Sequence, residues 1–222
     1  MGVLIKVLVV VGGLSILCPG SCTVVQTESF GPFSDALLEE YDASVTSWEE
    51  NLPGCAAAFS SLNHTAEMEY LVKRAIELQR PFTASVVSVR TRERLAEGAA
   101  DINNPLEHGE TVALRNFQEA VGVDGTFADP LALYTTAESC PMCAAAEVWA
   151  GISLVVYGTS RPTLVEIGGF GPFSMRAQEV FEDAAASHDK SYPAPCQLGG
   201  VLSSETDRLF KKQQASTQEL FL

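Results

Sequence analysis

Basic residues are scarce in this chain. In 222 residues, 14 Lys plus Arg stand against 28 Asp plus Glu, a formal net charge of −14. A polynucleotide partner is held by stripes of Lys and Arg that neutralise phosphates. The shortage argues against tRNA or DNA and favours a small, neutral partner. A long hydrophobic run is also missing. The apolar stretch from Val7 to Cys18 covers 12 positions, short of the ~20 a membrane-spanning helix needs, so no stable membrane anchor is expected. With Lys6 before it and Pro19-Gly20-Ser21-Cys22 after it, residues 1–22 read instead as a secretory signal, cut after Gly20 or after Cys22. The expected location is therefore extracellular.

What the chain does contain is one histidine and two cysteines in a telling order. His108-Gly109-Glu110 is followed, 32 positions after the histidine, by Cys140-Pro141-Met142-Cys143. One imidazole and two thiolates suit a tetrahedral Zn²⁺. No fourth protein ligand lies nearby in sequence, and three ligands with one open position mark a catalytic rather than a structural zinc. Glu110, two residues after the histidine, is placed to move protons for water at the metal without being a ligand itself. Taken alone, a C-x-x-C is as often a redox pair or half of a zinc ribbon, and a lone histidine near a helix start is more often a cap or packing residue. The two halves together, in this order, decide for the zinc site.

Apolar periodicity and turn residues place these motifs. A helix is expected from Ser34 to about Glu50, ended by Asn51-Leu52-Pro53-Gly54, and a second after Thr65 with Met68, Leu71, Val72, Ala75 and Ile76 on its inner face. Phe82 to Arg90 reads as a strand, turned back by Thr91-Arg92-Glu93-Arg94 into a partner from Leu95 to Ala100. Pro105 forces an extended approach to a helix carrying His108 and Glu110 in its first turn. Leu131 to Thr136 is a strand leading to a second helix at Cys140, with Pro141 suited to a first helical position. Two helix N-termini converging on one metal help keep Cys140 and Cys143 ionised. Ser153 to Gly158 is another strand, Thr159-Ser160-Arg161-Pro162 its exit, and Ser174 to Ala186 a helix. These elements describe an α/β fold: three layers, α/β/α, around a central mixed sheet of about five strands.

The H-x-E … C-x-x-C pattern resembles the cytidine deaminase superfamily of zinc-dependent nucleobase and nucleoside deaminases, whose general signature is H-x-E followed by P-C-x-x-C. Cys140-Pro141-Met142-Cys143 and Trp149-Ala150 look most like the guanine deaminase branch, alongside cytosine- and adenosine-type enzymes. Pro81-Phe82 is similar to the family's opening of its first strand, with Thr83 where Gly is common, and Gly199-Gly200-Val201-Leu202 to its closing segment. The resemblance spans about 66–212, leaving 23–65 as a helical extension and 213–222 as a tail. It implies Zn²⁺ as cofactor, hydrolytic release of ammonia from a small base or nucleoside with Glu110 as proton carrier, and a homodimer. It further implies that backbone N–H groups near Gly109 and Cys140 orient the base, with Phe82 a further substrate contact and Asp101, Asn103 or Asn104 supplying a polar one. Two departures stand out. Ser139 occupies the position of the signature proline, and Ala100 that of an asparagine which often binds substrate in the family. The rival reading is a secreted zinc-binding interaction protein with an idle deaminase fold, which would have no need of Glu110.

Secretion bears on three further positions. With Cys140 and Cys143 committed to metal, and cleavage after Cys22, Cys55 and Cys196 remain as a disulfide pair. Asn63-His64-Thr65 is a glycosylation sequon at Asn63.

Overall fold

The computed structural model describes residues 9–11, 14–16, 59–121, 130–168, 171–187 and 194–219. The chain divides into two units, Met1–Asp42 and Ala43–Leu222. In the first, β1 (Val9–Val11) pairs antiparallel with β2 (Leu14–Ile16), Val9 opposite Ile16. The expected helix from Ser34 to Glu50 and Cys55 lie outside the described residues.

The second unit runs α1 (His64–Leu78), β3 (Thr83–Ser88), β4 (Arg94–Ala99), α2 (Gly109–Val121), β5 (Leu131–Ala137), α3 (Pro141–Trp149), β6 (Leu154–Thr159), α4 (Arg161–Gly168), α5 (Ala177–Ala186), β7 (Cys196–Gly199) and α6 (Ser203–Glu219). Its five strands lie in the order β4-β3-β5-β6-β7. β3 is antiparallel to both neighbours, whereas β5, β6 and β7 are parallel. β4 and β5 therefore point the same way, and the carboxyl ends of β4, β5, β6 and β7 share one edge. That edge is where open α/β sheets place ligands.

Strand parity sorts the core into two layers. Ala84, Val86, Leu131, Leu133 and Val155 meet Ala113, Leu114 and Phe117 of α2, Ala144 of α3 and Ala177 and Phe181 of α5. Val87, Ala132, Tyr134, Leu154 and Val156 face the other way, onto Met68 and Leu71 of α1. β3 and β5 are buried at every position, because helices cover both faces. A continuous apolar run, not alternation, is the signature of such strands.

Several boundaries differ from the sequence reading for identifiable reasons. α1 begins at His64, before Thr65, because Asn63 is the N-cap and its side chain accepts from the Ala66 N–H. His108 precedes α2 instead of lying in its first turn; its carbonyl accepts the Val112 N–H. The segment Thr159-Ser160-Arg161-Pro162 does not exit into a loop. It opens α4, with Pro162 in the first turn and Ser160 Oγ accepting from the Thr163 N–H at 3.3 Å. α5 starts at Ala177, three residues late, with Arg176 as its N-cap. α6 continues to Glu219, through most of the expected tail.

Candidate metal centre and active site

β4 and β5 deliver the metal donors. Gly98, in β4, lies so close beneath α2 that a Cβ there would sit 2.3 Å from the Ala113 nitrogen and 2.5 Å from the Gly109 oxygen. Only glycine permits this contact, which fixes the start of α2. From Ala99 the chain crosses a loop stitched by its own side chains: Asp101 Oδ1 accepts the Asn103 N–H, and Asn104 Oδ1 the Leu106 N–H. At the neighbouring strand, β5 ends at Ala137 and Cys140 becomes the N-cap of α3.

This brings His108, Cys140 and Cys143 together. His108 Nδ1 is 3.5 Å from each sulfur, and the sulfurs are 3.6 Å apart. Bond lengths of ~2.3 Å to sulfur and ~2.0–2.1 Å to nitrogen in a tetrahedral site require edges of roughly 3.6 Å for N–S and 3.8 Å for S–S. The three donors thus already sit at the corners of a zinc tetrahedron, with one corner left to a non-protein ligand. The protein's own pairing assists ionisation. The hydrogen bond between the two sulfurs, with His108 beside it, brings the Cys140 thiol down to about 4 despite burial. The same hydrogen bond, together with burial, pushes Cys143 up, and the Cys140 contact raises His108.

Glu110, in the first turn of α2, is only 4% exposed. Burial pushes its carboxyl above the ordinary range; the Cys140 charge adds to this, and His108 opposes it. Thr135 Oγ1, on the same face of β5, approaches Glu110 Oε1 at 3.3 Å. A carboxyl held in a dry pocket against a metal site, without being one of its donors, suits proton transfer.

The segment feeding Cys140 is also anchored. Buried Glu138 accepts from Nε and Nη2 of Arg176 at 2.8–2.9 Å and from the Arg161 N–H at 2.9 Å. Ser139 Oγ donates to Glu147 Oε1 at 2.6 Å. Thr135, Glu138 and Glu147 escaped the sequence reading, as did the bond that Ser139 makes. A buried acid within an otherwise apolar stretch of α3 was the available signal.

The remaining candidates fall as follows. Gly109 is buried against the Phe82 carbonyl, 2.9 Å from where its Cβ would be. The Phe82 ring packs on Phe210 at 4.8 Å, and its carbonyl accepts the Ala100 N–H. Asp101 and Asn104 occupy the loop between β4 and His108, their side chains engaged in its turns. Asn63 is exposed. Cys196 is disulfide-bonded. A cavity of about 220 Å³ opens at the β4 edge, lined by Leu71, Arg74, Glu97 and Asn116 among others. It includes no zinc donor and neither Glu110 nor Thr135, so it is not the reaction site.

Fold and donor set define a zinc centre of the catalytic kind, and comparison with known proteins specifies it. Residues 62–159 match the family described as cytidine and deoxycytidylate deaminase zinc-binding region. Guanine deaminase of Bacillus subtilis (strain 168) is 31% identical over 115 residues, 48% of this chain and 71% of that protein. The chain belongs to the cytidine and deoxycytidylate deaminase zinc-binding family. Among solved structures, a mutant of NE0047 in complex with 8-azaguanine superposes with a TM-score of 0.58 at 22% identity, covering 70% of this chain and 86% of that one. The guanine deaminase from Nitrosomonas europaea gives 0.57 at 21%, over 69% and 86%. At these identities the structures establish the likeness of the fold.

Proposed function

We propose that the protein is a zinc-dependent hydrolase that deaminates a free nucleobase, with guanine first among the substrates, releasing ammonia. The observation that carries this reading is Glu110: a buried carboxyl beside the His108-Cys140-Cys143 cluster that is not needed to hold metal. An inert zinc module gains nothing from burying a charge there, which opposes stability. Zinc, when bound, supplies Lewis acidity and brings the pKa of water toward ~7. Glu110 takes the two protons of the attacking water in turn, passing the first to the ring nitrogen and the second to the departing amine. Thr135 holds one of its oxygens during this exchange. The carboxyl's raised affinity for protons suits it to both directions of transfer.

The guanine preference rests on the Bacillus relative and on the 8-azaguanine held by a structural neighbour. The net charge of −14 supports a neutral base over a polynucleotide. Ala100 offers no side-chain amide, so the base depends on other groups around the Asp101–Asn104 loop. Ammonia release from a panel of guanine, cytosine, adenine and their nucleosides tests the reading. We further place the protein outside the reducing cytosol, supported by the Lys6–Cys22 pattern and the disulfide at Cys196. N-terminal sequencing of exported protein tests that placement.

A further inference from the structure

α3 carries Pro141, Met142, three alanines, a valine and a tryptophan besides Cys143, and, among them, Glu147. Glu147 is 0% exposed. One oxygen, Oε1, accepts from Ser139 Oγ at 2.6 Å, and the other, Oε2, meets no hydrogen-bonding partner among the described residues. A buried carboxyl that is half satisfied opposes folding. A methionine or leucine at this place would fill the space without that penalty, so the acid requires a reason other than packing.

Its partner supplies the reason. Ser139 immediately precedes Cys140, the N-cap residue of α3, whose sulfur belongs to the metal cluster. Serine has no ring to restrain its backbone, unlike the proline of the signature. A side-chain latch from inside the helix replaces that restraint. Glu147 lies four residues after Cys143, on the same face one turn on. The latch thus ties together the two ends of the segment that carries both sulfurs.

We propose that Glu147 is a positioning residue for the zinc site, acting through Ser139 to hold Cys140 and Cys143 at ligating separation. This rests on the zinc reading of the cluster. Groups that orient ligands from behind contribute about 10–100-fold to metal affinity, and the latch falls in that range. Glu147→Gln keeps an acceptor for the Ser139 hydroxyl; Glu147→Met fills the same space and removes it.

The test is zinc competition between the full chain and a colorimetric chelator, with thermal unfolding of chelated protein alongside. Ser139→Ala and Glu147→Met should each weaken zinc at least tenfold. Their double variant should be no weaker than either single, since both remove one bond. Glu147→Gln should stay within about threefold of wild type, and chelated Glu147→Met should be at least as heat-stable as chelated wild type. Zinc affinity unchanged in Ser139→Ala, or losses that multiply in the double variant, overturn the latch while leaving the deaminase reading intact. Wild type that binds no zinc overturns both.

Discussion

Replacing Gly98 with alanine should damage the metal site from behind, without touching a ligand. The added Cβ would lie 2.3 Å from the Ala113 nitrogen and 2.5 Å from the Gly109 oxygen, both backbone atoms of α2. Ordinary contact begins at 3.4 Å, so the start of α2 must retreat by about 1 Å, the difference between those distances. His108 and Glu110 move with it. The 3.5 Å edges from His108 Nδ1 to the two sulfurs then exceed what zinc can span at ~2.0 and ~2.3 Å. A misplacement of ~1 Å can reduce turnover ~10²-fold, and the strain should lower stability by about 1–3 kcal/mol, roughly 2–4 °C in Tm per kcal/mol at this size. Gly109→Ala is the control: its nearest obstacle is the Phe82 carbonyl at 2.9 Å, half the displacement, so its losses should be clearly smaller. Chelator competition and differential scanning fluorimetry read both variants. Wild-type zinc affinity in Gly98→Ala would refute the idea that close packing of β4 on α2 sets the ligand geometry.

Arg176→Ala strips the counter-ion from Glu138, whose side chain is 0% exposed; because Arg176 itself is 38% exposed, water softens the loss, and up to about 3 kcal/mol in urea unfolding is expected. Glu147 binds protons more tightly folded than unfolded, so its contribution to stability is fully present below about 4.5, the unfolded value, and is lost as pH rises toward the folded one. Glu147→Met should consequently gain most stability over wild type at pH 7–8 and least near pH 4, measured on chelated protein. Turnover should decline on acidification at a pH above the usual carboxylate range, because Glu110 is raised by burial and works as the base only when ionised. Cys196 should map to Cys55 in non-reducing peptide digests, a bridge contributing roughly 2–5 kcal/mol; a partner other than Cys55 would correct the pairing.

The zinc donors and Glu110 were legible in the sequence because metal chemistry constrains residue type and spacing tightly, and the fold brings His108, Cys140 and Cys143 into one cluster with Glu110 beside it. What escaped was set by tertiary context. Nothing local marks Glu138 for Arg176, 38 residues away, or Ser139 for Glu147, since such bonds exist only once β5, α3 and α5 have packed. Thr135 reads as an ordinary strand residue until α2 lies over it. Pro162 signals either a loop or a helix start, and the Ser160 cap chose the helix. Four of the five strands were readable from apolar runs and turns; β7 (Cys196–Gly199) was not, and the burial of β3 on both faces could not be read locally, since helix coverage is a property of the whole domain.

The central claim, that Glu110 moves protons for deamination at a zinc held by His108, Cys140 and Cys143, is tested most directly by ammonia release from guanine, with zinc content measured in the same samples for wild type and Glu110→Gln. Glutamine keeps the shape but accepts no proton. Wild type should carry one zinc per chain and release ammonia. Glu110→Gln should retain its zinc and lose activity by about 10⁴-fold, the upper end for a general acid–base group, since one carboxyl serves several transfers. Equal turnover in the two proteins, or zinc-loaded wild type that releases no ammonia from guanine or any other base, would contradict the account.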